Sequence, residues 1–277
     1  MNAEAKIVEA QSGIGPVLLR DDHGPVALLT LNRPQSRNAL SKPLLNALGE
    51  AIAEIGASKP VNVVVLTGAS PAFCAGHDMR EMTARRSDPD RGRGFFEHLM
   101  GLCSDVMQAI MACPKPVIAA VNGAASAAGC QLVASCDLAV ASTEARFATP
   151  GVHIGLFCST PMVALSRNIS RKHAMEMLLL GDPIPAEKAA EIGLVNRVVP
   201  PAGLIPAALE MARLIASKSP MTLKTGKEAF YRQLEMPVAE AYAYASRVMV
   251  ENMLRRDAEE GIGAFLEKRE PRWPDAS

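Results

Sequence analysis

Residues 116–138 read P-V-I-A-A-V-N-G-A-A-S-A-A-G-C-Q-L-V-A-S-C-D-L, and residues 73–82 read F-C-A-G-H-D-M-R-E-M. The first stretch predicts a buried strand over Val117–Val121, a sharp turn at Asn122-Gly123 and a helix starting near Ala127. Valine, isoleucine and alanine fill the strand without alternation, which suits a strand covered on both faces. Small residues crowd the turn and the helix start, so a ligand could approach the backbone closely. A helix N-terminus also presents unpaired N–H groups and the positive end of the helix dipole. The second stretch follows an apolar run at residues 61–66 and again places a glycine, Gly76, before a helix start. Two such turns facing each other would make a two-donor oxyanion hole.

Working outward toward the N-terminus, Ser41 caps a predicted helix running to about Ala57, with Leu44, Leu45, Leu48, Ile52 and Ile55 on one stripe. Before it, residues 17–20 and 26–31 predict a hairpin whose turn, residues 21–24, holds His23. Residues 80–93 are the most polar region and read as a mobile surface loop carrying Arg80, Arg85, Arg86, Arg91 and Arg93. Residues 95–113 then read as a long helix. Toward the C-terminus, strands are expected at residues 137–141, 146–148 and 194–199, and helices at 161–169, 172–180 and 185–192. Past Pro200 only helices are predicted, over residues 202–217, 221–234, 238–254 and 257–268. Alternating strands and helices with a helical tail argue an α/β chain. The expected division is a ligand-binding core at 1–200 and a helical region at 201–277.

The chain has 277 residues, 49 % of them hydrophobic and 21 % charged, within the range of globular proteins. Its 29 basic and 29 acidic side chains cancel, which gives no support for a nucleic-acid partner. No apolar run approaches the ~18 residues that span a bilayer. Residues 1–10, M-N-A-E-A-K-I-V-E-A, read as neither a secretory signal nor an Arg-rich transit peptide, so a cytoplasmic location is expected. Six cysteines at 74, 103, 113, 130, 136 and 158 form no C-x-x-C pair and read as buried reduced thiols. No strand is followed by G-x-G-x-x-G and no G-x-S-x-G occurs, which excludes a Rossmann dehydrogenase and an α/β-hydrolase-type serine enzyme.

Several spaced motifs, in order, resemble the crotonase superfamily (enoyl-CoA hydratase/isomerase). The family's A-G-x-D is similar to Ala75-Gly76-His77-Asp78, and its N-G-x-x-x-G-G-G to residues 122–129. Its L-N-R-P-x-x-x-N-A-L opening matches residues 31–40, and its F-x-x-P matches residues 147–150. The run at residues 147–161 resembles in particular the branch called enoyl-CoA hydratase domain-containing protein 3. The resemblance covers roughly residues 15–270 and implies a ClpP/crotonase-like spiral of ββα units. It also implies a C-terminal helical region that mediates a homotrimer or a dimer of trimers. The ligand implied is an acyl-CoA thioester, with coenzyme A entering as part of the substrate, and no resident cofactor or metal.

Carried over, the resemblance places the oxyanion donors at the backbone N–H groups of His77 and Ala128. Arg37, Ala39, Leu40, Ala75, Asp78, Met79 and Arg80 are expected to meet the coenzyme, and Gly129, Pro150 and Gly151 are expected to bind substrate as well. Asp78 also reads as a helix cap. Alanine at 128 suits the donor if its φ is negative, as a helix would make it.

The family's two catalytic glutamates fall on Gln131 and Gly151, so both carboxylates are missing; a hydratase needs one group to activate water and another to deliver a proton. His153, His98, Cys158 and Glu81 remain as titratable candidates, with the Cys158 thiol pKa expected to fall at a helix start and Glu81 reading as first-turn helix charge. Two readings follow. One is an acyl-CoA enzyme, nominally a hydratase or isomerase, that stabilises a thioester enolate. The other is a non-catalytic acyl-CoA binding protein on the same scaffold.

Overall fold

The structure, a computed structural model, describes residues 15–274. The reading of residues 1–10 lies outside the described residues. In chain order the elements are β1 (Leu18–His23), β2 (Val26–Leu31), α1 (Lys42–Ala57), β3 (Val63–Gly68), β4 (Ala72–Cys74), α2 (Met79–Ala84), α3 (Arg93–Ala112), β5 (Val117–Val121), β6 (Ala124–Ser126), α4 (Ala128–Ser135) and β7 (Leu138–Ser142). Then follow β8 (Arg146–Ala148), α5 (Ser159–Asn168), α6 (Arg171–Leu180), β9 (Ile184–Pro185), α7 (Ala186–Glu191), β10 (Arg197–Val199), α8 (Leu204–Ala216), α9 (Pro220–Gln233), α10 (Val238–Met253) and α11 (Arg256–Glu267).

Two sheets carry the fold. The larger has the order β1-β2-β3-β5-β7-β10, and the smaller β4-β6-β8-β9. Only β1 and β9 run antiparallel to their neighbours. Strands β3, β5 and β7 each hand the chain to β4, β6 and β8, in the same lateral order. That repeat, with a helix after each pair, is the ββα spiral of the crotonase fold.

The alternation of side chains along a strand explains the unbroken apolar runs. In β3, Val64 and Leu66 join the core formed with α1, α3 and α4, while Val63 and Val65 face Leu204, Ala208 and Ala212 of α8. In β5, Val117, Ala119 and Val121 take the first side, and Ile118 and Ala120 the second. The apolar core therefore continues through α8 to Ala216, past the boundary at residue 200. Helix α1 begins where Ser41 accepts from the Leu44 N–H, and it buries the five residues expected.

Other expectations change. The hairpin turn tightens to Gly24-Pro25, so Asp21, Asp22 and His23 lie in β1. Residues 80–93 are not a loop throughout. Helix α2 occupies most of the first turn and a half, and Arg85 and Arg86 stack over the Phe95 and Phe96 rings of α3 at 5.3 and 6.0 Å. Strands β4, β6 and β9 stand where no strand is expected.

The last three helices bury little of themselves. Phe230, Tyr242, Met249, Leu254 and Phe265 all face solvent in the single chain. One polar clamp fastens α9 to the core. Lys227 Nζ donates to Asp137 Oδ2 at 2.7 Å and to the Ile110 and Lys115 carbonyls at 2.9 and 3.1 Å. Asp137 also accepts from the Val117 N–H and from Tyr231 Oη. All three ammonium protons and both carboxylate oxygens are thus engaged, at a pair whose side chains are only 7 % and 16 % exposed.

Lys227→Met should therefore cost on the order of 3 kcal/mol in chemical denaturation, because it strands a nearly buried carboxylate. Adding Asp137→Asn should recover part of that loss. A loss near zero for Lys227→Met would contradict the clamp.

Candidate functional site

The site is built where β4 and β6 end. They pair in parallel, Ala72 opposite Ala124 and Cys74 opposite Ala125. The turns that follow them, Ala75-Gly76-His77 and Ala127-Ala128, therefore emerge side by side. The approach is close. A Cβ added at Gly76 would stand 2.9 Å from the Ser126 carbonyl oxygen and 3.4 Å from Ala128 N, and Gly76 has φ +91°. A Cβ at Gly129 would stand 2.1 Å from the Cys74 carbonyl oxygen, so only glycine lets α4 start this near β4.

A third segment holds the first turn in place. The Leu40 N–H donates to the Gly76 carbonyl at 2.7 Å, the Asp78 N–H to the Leu40 carbonyl at 3.3 Å, and the Ala75 N–H to the Arg37 carbonyl at 3.0 Å. This segment is itself shaped by two consecutive left-handed residues, Arg37 (φ 50°) and Asn38 (φ 54°). Asn38 is fully buried. Its Oδ1 accepts from the Arg33 N–H, and its Nδ2 donates to the Ala69 and Ala72 carbonyls at 2.7 Å each. Asparagine tolerates φ > 0 and brings both donors and an acceptor, which is what this corner requires. Sequence reasoning assigned its neighbours to coenzyme contacts and missed Asn38, whose signal was its place between the two.

The carried-over contacts divide accordingly. Ala39 and Leu40 are buried and position the turn from behind. Asp78 accepts from the Arg80 and Glu81 N–H groups at the start of α2 and pairs with Arg33 at 2.9 Å. Burial alone would raise the Asp78 pKa, but the Arg33 guanidinium and those N–H groups prevail and hold it below the usual value. Glu81 accepts from the Lys42 N–H, tying α2 to α1. Arg37, Met79 and Arg80 remain exposed around the turn, with Ala75 and Pro150 half-buried.

The N–H groups of His77 and Ala128 are the expected donors. Ala128 opens α4 with helical, negative φ, and among the described residues neither its N–H nor that of His77 has a backbone acceptor. One residue earlier, at the N-cap, the chain departs from helical geometry. Ala127 has φ 50° and ψ −117°, a region that suits glycine. Such strain costs on the order of 1–3 kcal/mol.

The groups around the donors are neutral. Gln131 lies one turn along α4 from Ala127 and Ala128, on the same face, and is 5 % exposed. Its Oε1 is buried with no hydrogen-bond partner. Both ring nitrogens of His77 are likewise buried and unpartnered. Burial lowers the His77 pKa, with the Leu40 backbone offsetting part of the effect, so the imidazole is neutral.

Gly151 is not an empty position. A Cβ there would stand 3.0 Å from Cys158 Sγ and 3.0 Å from the Leu156 carbonyl oxygen. The segment folds back on itself, the Leu156 N–H donating to the Gly151 carbonyl, and the Cys158 sulfur fills the space of a side chain at 151. Burial raises the Cys158 pKa despite a contact with the Gly151 backbone. The expected activated thiol is thus a neutral, packed one. His153 turns its ring toward Gly181 and Asp182, 3.8 Å from the latter's Oδ1, and is half exposed. Among the described residues no hydrogen bond links it to Gln131 or to the donor turns. His98 is exposed on α3.

Residues 21–276 match the protein family described as Enoyl-CoA hydratase/isomerase. The chain is 47 % identical over 245 residues to Enoyl-CoA hydratase domain-containing protein 3, mitochondrial, of Homo sapiens, covering 88 % of this chain and 79 % of that one. A crystal structure of an enoyl-CoA hydratase of Mycobacterium smegmatis superposes with a TM-score of 0.88 at 51 % identity, covering 93 % of this chain and 99 % of the other. The crystal structure of the human domain-containing protein 3 gives a TM-score of 0.88 at 44 % identity, covering 93 % and 100 %. The likeness to that branch, expected from residues 147–161, holds for sequence and structure. The human relative's name places it in mitochondria, so the cytoplasmic expectation gains nothing here. No helix of the described residues is long and apolar enough to cross a membrane.

Ala127→Gly should stabilise the protein by about 1 kcal/mol, since the strained backbone is relieved by more than the added unfolded-state freedom costs. A lower melting temperature would contradict the strain. The lowered His77 pKa sets a pH dependence. The folded state binds the proton less readily than the unfolded chain, so nothing is lost above the unfolded value of about 6.5, and stability falls as pH drops below it. Denaturation between pH 7 and pH 5 should show a shallower decline for His77→Gln than for the wild type.

Proposed function

The chain belongs to the enoyl-CoA hydratase/isomerase family, and on that premise we propose that it binds acyl-CoA thioesters and stabilises the enolate of the bound thioester. The observation that carries this reading is the pair of free N–H groups at His77 and Ala128, brought together by the β4–β6 pairing. As the carbonyl of a thioester gains negative charge, two preorganised donors can each contribute on the order of 3 kcal/mol to the transition state. Arg37, Met79 and Arg80 surround the mouth of the turn, where the coenzyme's phosphates and pantetheine would lie. The exposed apolar residues of α9–α11 support assembly as a homotrimer or a dimer of trimers. A cytoplasmic location stays part of this reading.

The reading departs from a hydratase at the acid and base. Gln131 can orient a water or a substrate oxygen, but its amide cannot take a proton. Gly151 offers no side chain, and Cys158 holds its space. This closure favours, as the second reading, an acyl-CoA binding protein without chemistry.

The test is crotonyl-CoA hydration, followed by loss of the enoyl-thioester absorbance, alongside calorimetric titration with butyryl-CoA. The wild type should bind the thioester and hydrate crotonyl-CoA feebly. Gln131→Glu restores one carboxylate without touching the filled position at 151, and it should raise hydration by roughly 10²-fold, the lower range for one acid–base group. Rapid wild-type hydration that Gln131→Glu does not exceed would contradict the reading. Failure to bind any CoA thioester would remove its foundation.

A further inference from the structure

The two N–H groups proposed as donors differ in what stands behind them. The carbonyl and N–H of a trans peptide point opposite ways, so whatever holds the carbonyl also aims the N–H. For Ala128 that carbonyl belongs to Ala127, and it accepts from the Gln131 N–H at 3.0 Å. The eight residues of α4 follow, and their dipole favours negative charge at this end. His77 has no such helix. It precedes α2, which has six residues and starts at Met79, and the carboxylate that caps α2 is Asp78, one residue along. A negative charge there opposes another developing at the donor.

Behind His77 stands Arg33 instead. Its Nη1 donates to the Ala39 carbonyl at 2.5 Å. The N–H of that same peptide unit, on Leu40, donates to the Gly76 carbonyl at 2.7 Å. The N–H of the Gly76–His77 peptide is the proposed donor. Two peptide units, each joined to the next group by one hydrogen bond, thus link a positive charge to that donor. Arg33 Nη2 also meets Asp78 Oδ2 at 2.9 Å, so one guanidinium offsets the adverse carboxylate as well. The two side chains are only 17 % and 13 % exposed, which leaves their charges less screened than surface ones.

We infer that Arg33 is a positioning residue for the His77 donor: through the Ala39–Leu40 and Gly76–His77 peptides it aims that N–H and polarises it toward a negatively charged oxygen. This rests on the reading above that the His77 and Ala128 N–H groups hold a thioester oxygen. Hydrogen bonds in a chain strengthen one another, by roughly 10–30 % per bond. A bond from a charged donor is stronger than one between neutral groups, so the chain is polarised from its charged end. No proton moves along it. The two donors are then backed by different means, one by a helix and the other by a single charged side chain that touches no substrate.

The experiment records the infrared band of butyryl-CoA labelled with ¹³C at the thioester carbonyl, free and bound to the full chain. Wild type, Arg33→Lys, Arg33→Met and Lys227→Met are compared, with circular dichroism reporting the fold of each. In Arg33→Met the shift to lower frequency on binding should shrink by roughly 10–30 %, the share of one cooperative link. Arg33→Lys keeps the charge but not the planar fork that serves Ala39 and Asp78 together, so its shift should fall between the two. It carries the test alone if Arg33→Met does not fold. Lys227→Met weakens the fold outside this chain of bonds and should leave the shift at the wild-type value. A folded Arg33 variant whose band shifts as far as the wild type's would overturn the inference and leave the reading of the donors intact. An equal loss of shift in Lys227→Met would overturn it too, by tracing the effect to stability. A wild-type band that does not move, or no binding of the thioester, would show that the underlying reading fails, and the inference with it.

Discussion

Three residues of one short strand paired with three of another fix most of what matters in this protein. Because Ala72–Cys74 and Ala124–Ser126 run parallel as neighbours, the chain leaves both at the same edge. The two donor turns must then share a space barely wider than backbone. That closeness makes glycine necessary at 76 and 129, and it accompanies the unusual φ of Ala127. It also sets α4 so that Gln131 lies beneath the donors on the same face. The larger sheet acts as the frame for the two short strands, since the neighbouring strands β3 and β5 lead into them, with a register shift between Ala72 and Cys74.

Much of this was legible in the chain. The apolar runs at β3 and β5 announced strands with both faces covered, and the α1 stripe named all five of its buried residues. The tail read as helix throughout, because periodicity over a dozen residues is a strong signal. The smaller sheet was not legible. Its strands have two or three residues each, and Ala124-Ala125-Ser126 has neither β-branching nor alternation, so only the neighbouring strands make it a strand. The expectation of a donor pair rests on the family's motifs, and the strand pairing that brings the two turns together was not legible. Asn38 escaped because two of its three partners, the Ala69 and Ala72 carbonyls, are distant in sequence. Cys158 was misjudged because a helix start lowers a thiol pKa only when the sulfur is not packed away.

The chemistry divides along the same line. On the proposed reading the donors are backbone groups, and a backbone N–H at Ala128 can serve as well as one at glycine. Position 131 holds a neutral amide, and at 151 the Cys158 sulfur and the Leu156 carbonyl lie where a side chain would stand. On the proposed reading the site can hold negative charge on a thioester oxygen, while Gln131 and Gly151 bring no side chain that takes up a proton.

The measurement that bears most directly on this is the isotope-edited infrared spectrum of butyryl-CoA labelled with ¹³C at the thioester carbonyl, free and bound. Two backbone donors on that oxygen should shift the carbonyl band to lower frequency on binding, and the shift should persist in His77→Ala, since the N–H remains. A bound thioester whose carbonyl band does not move would contradict the assignment of His77 and Ala128 as its donors.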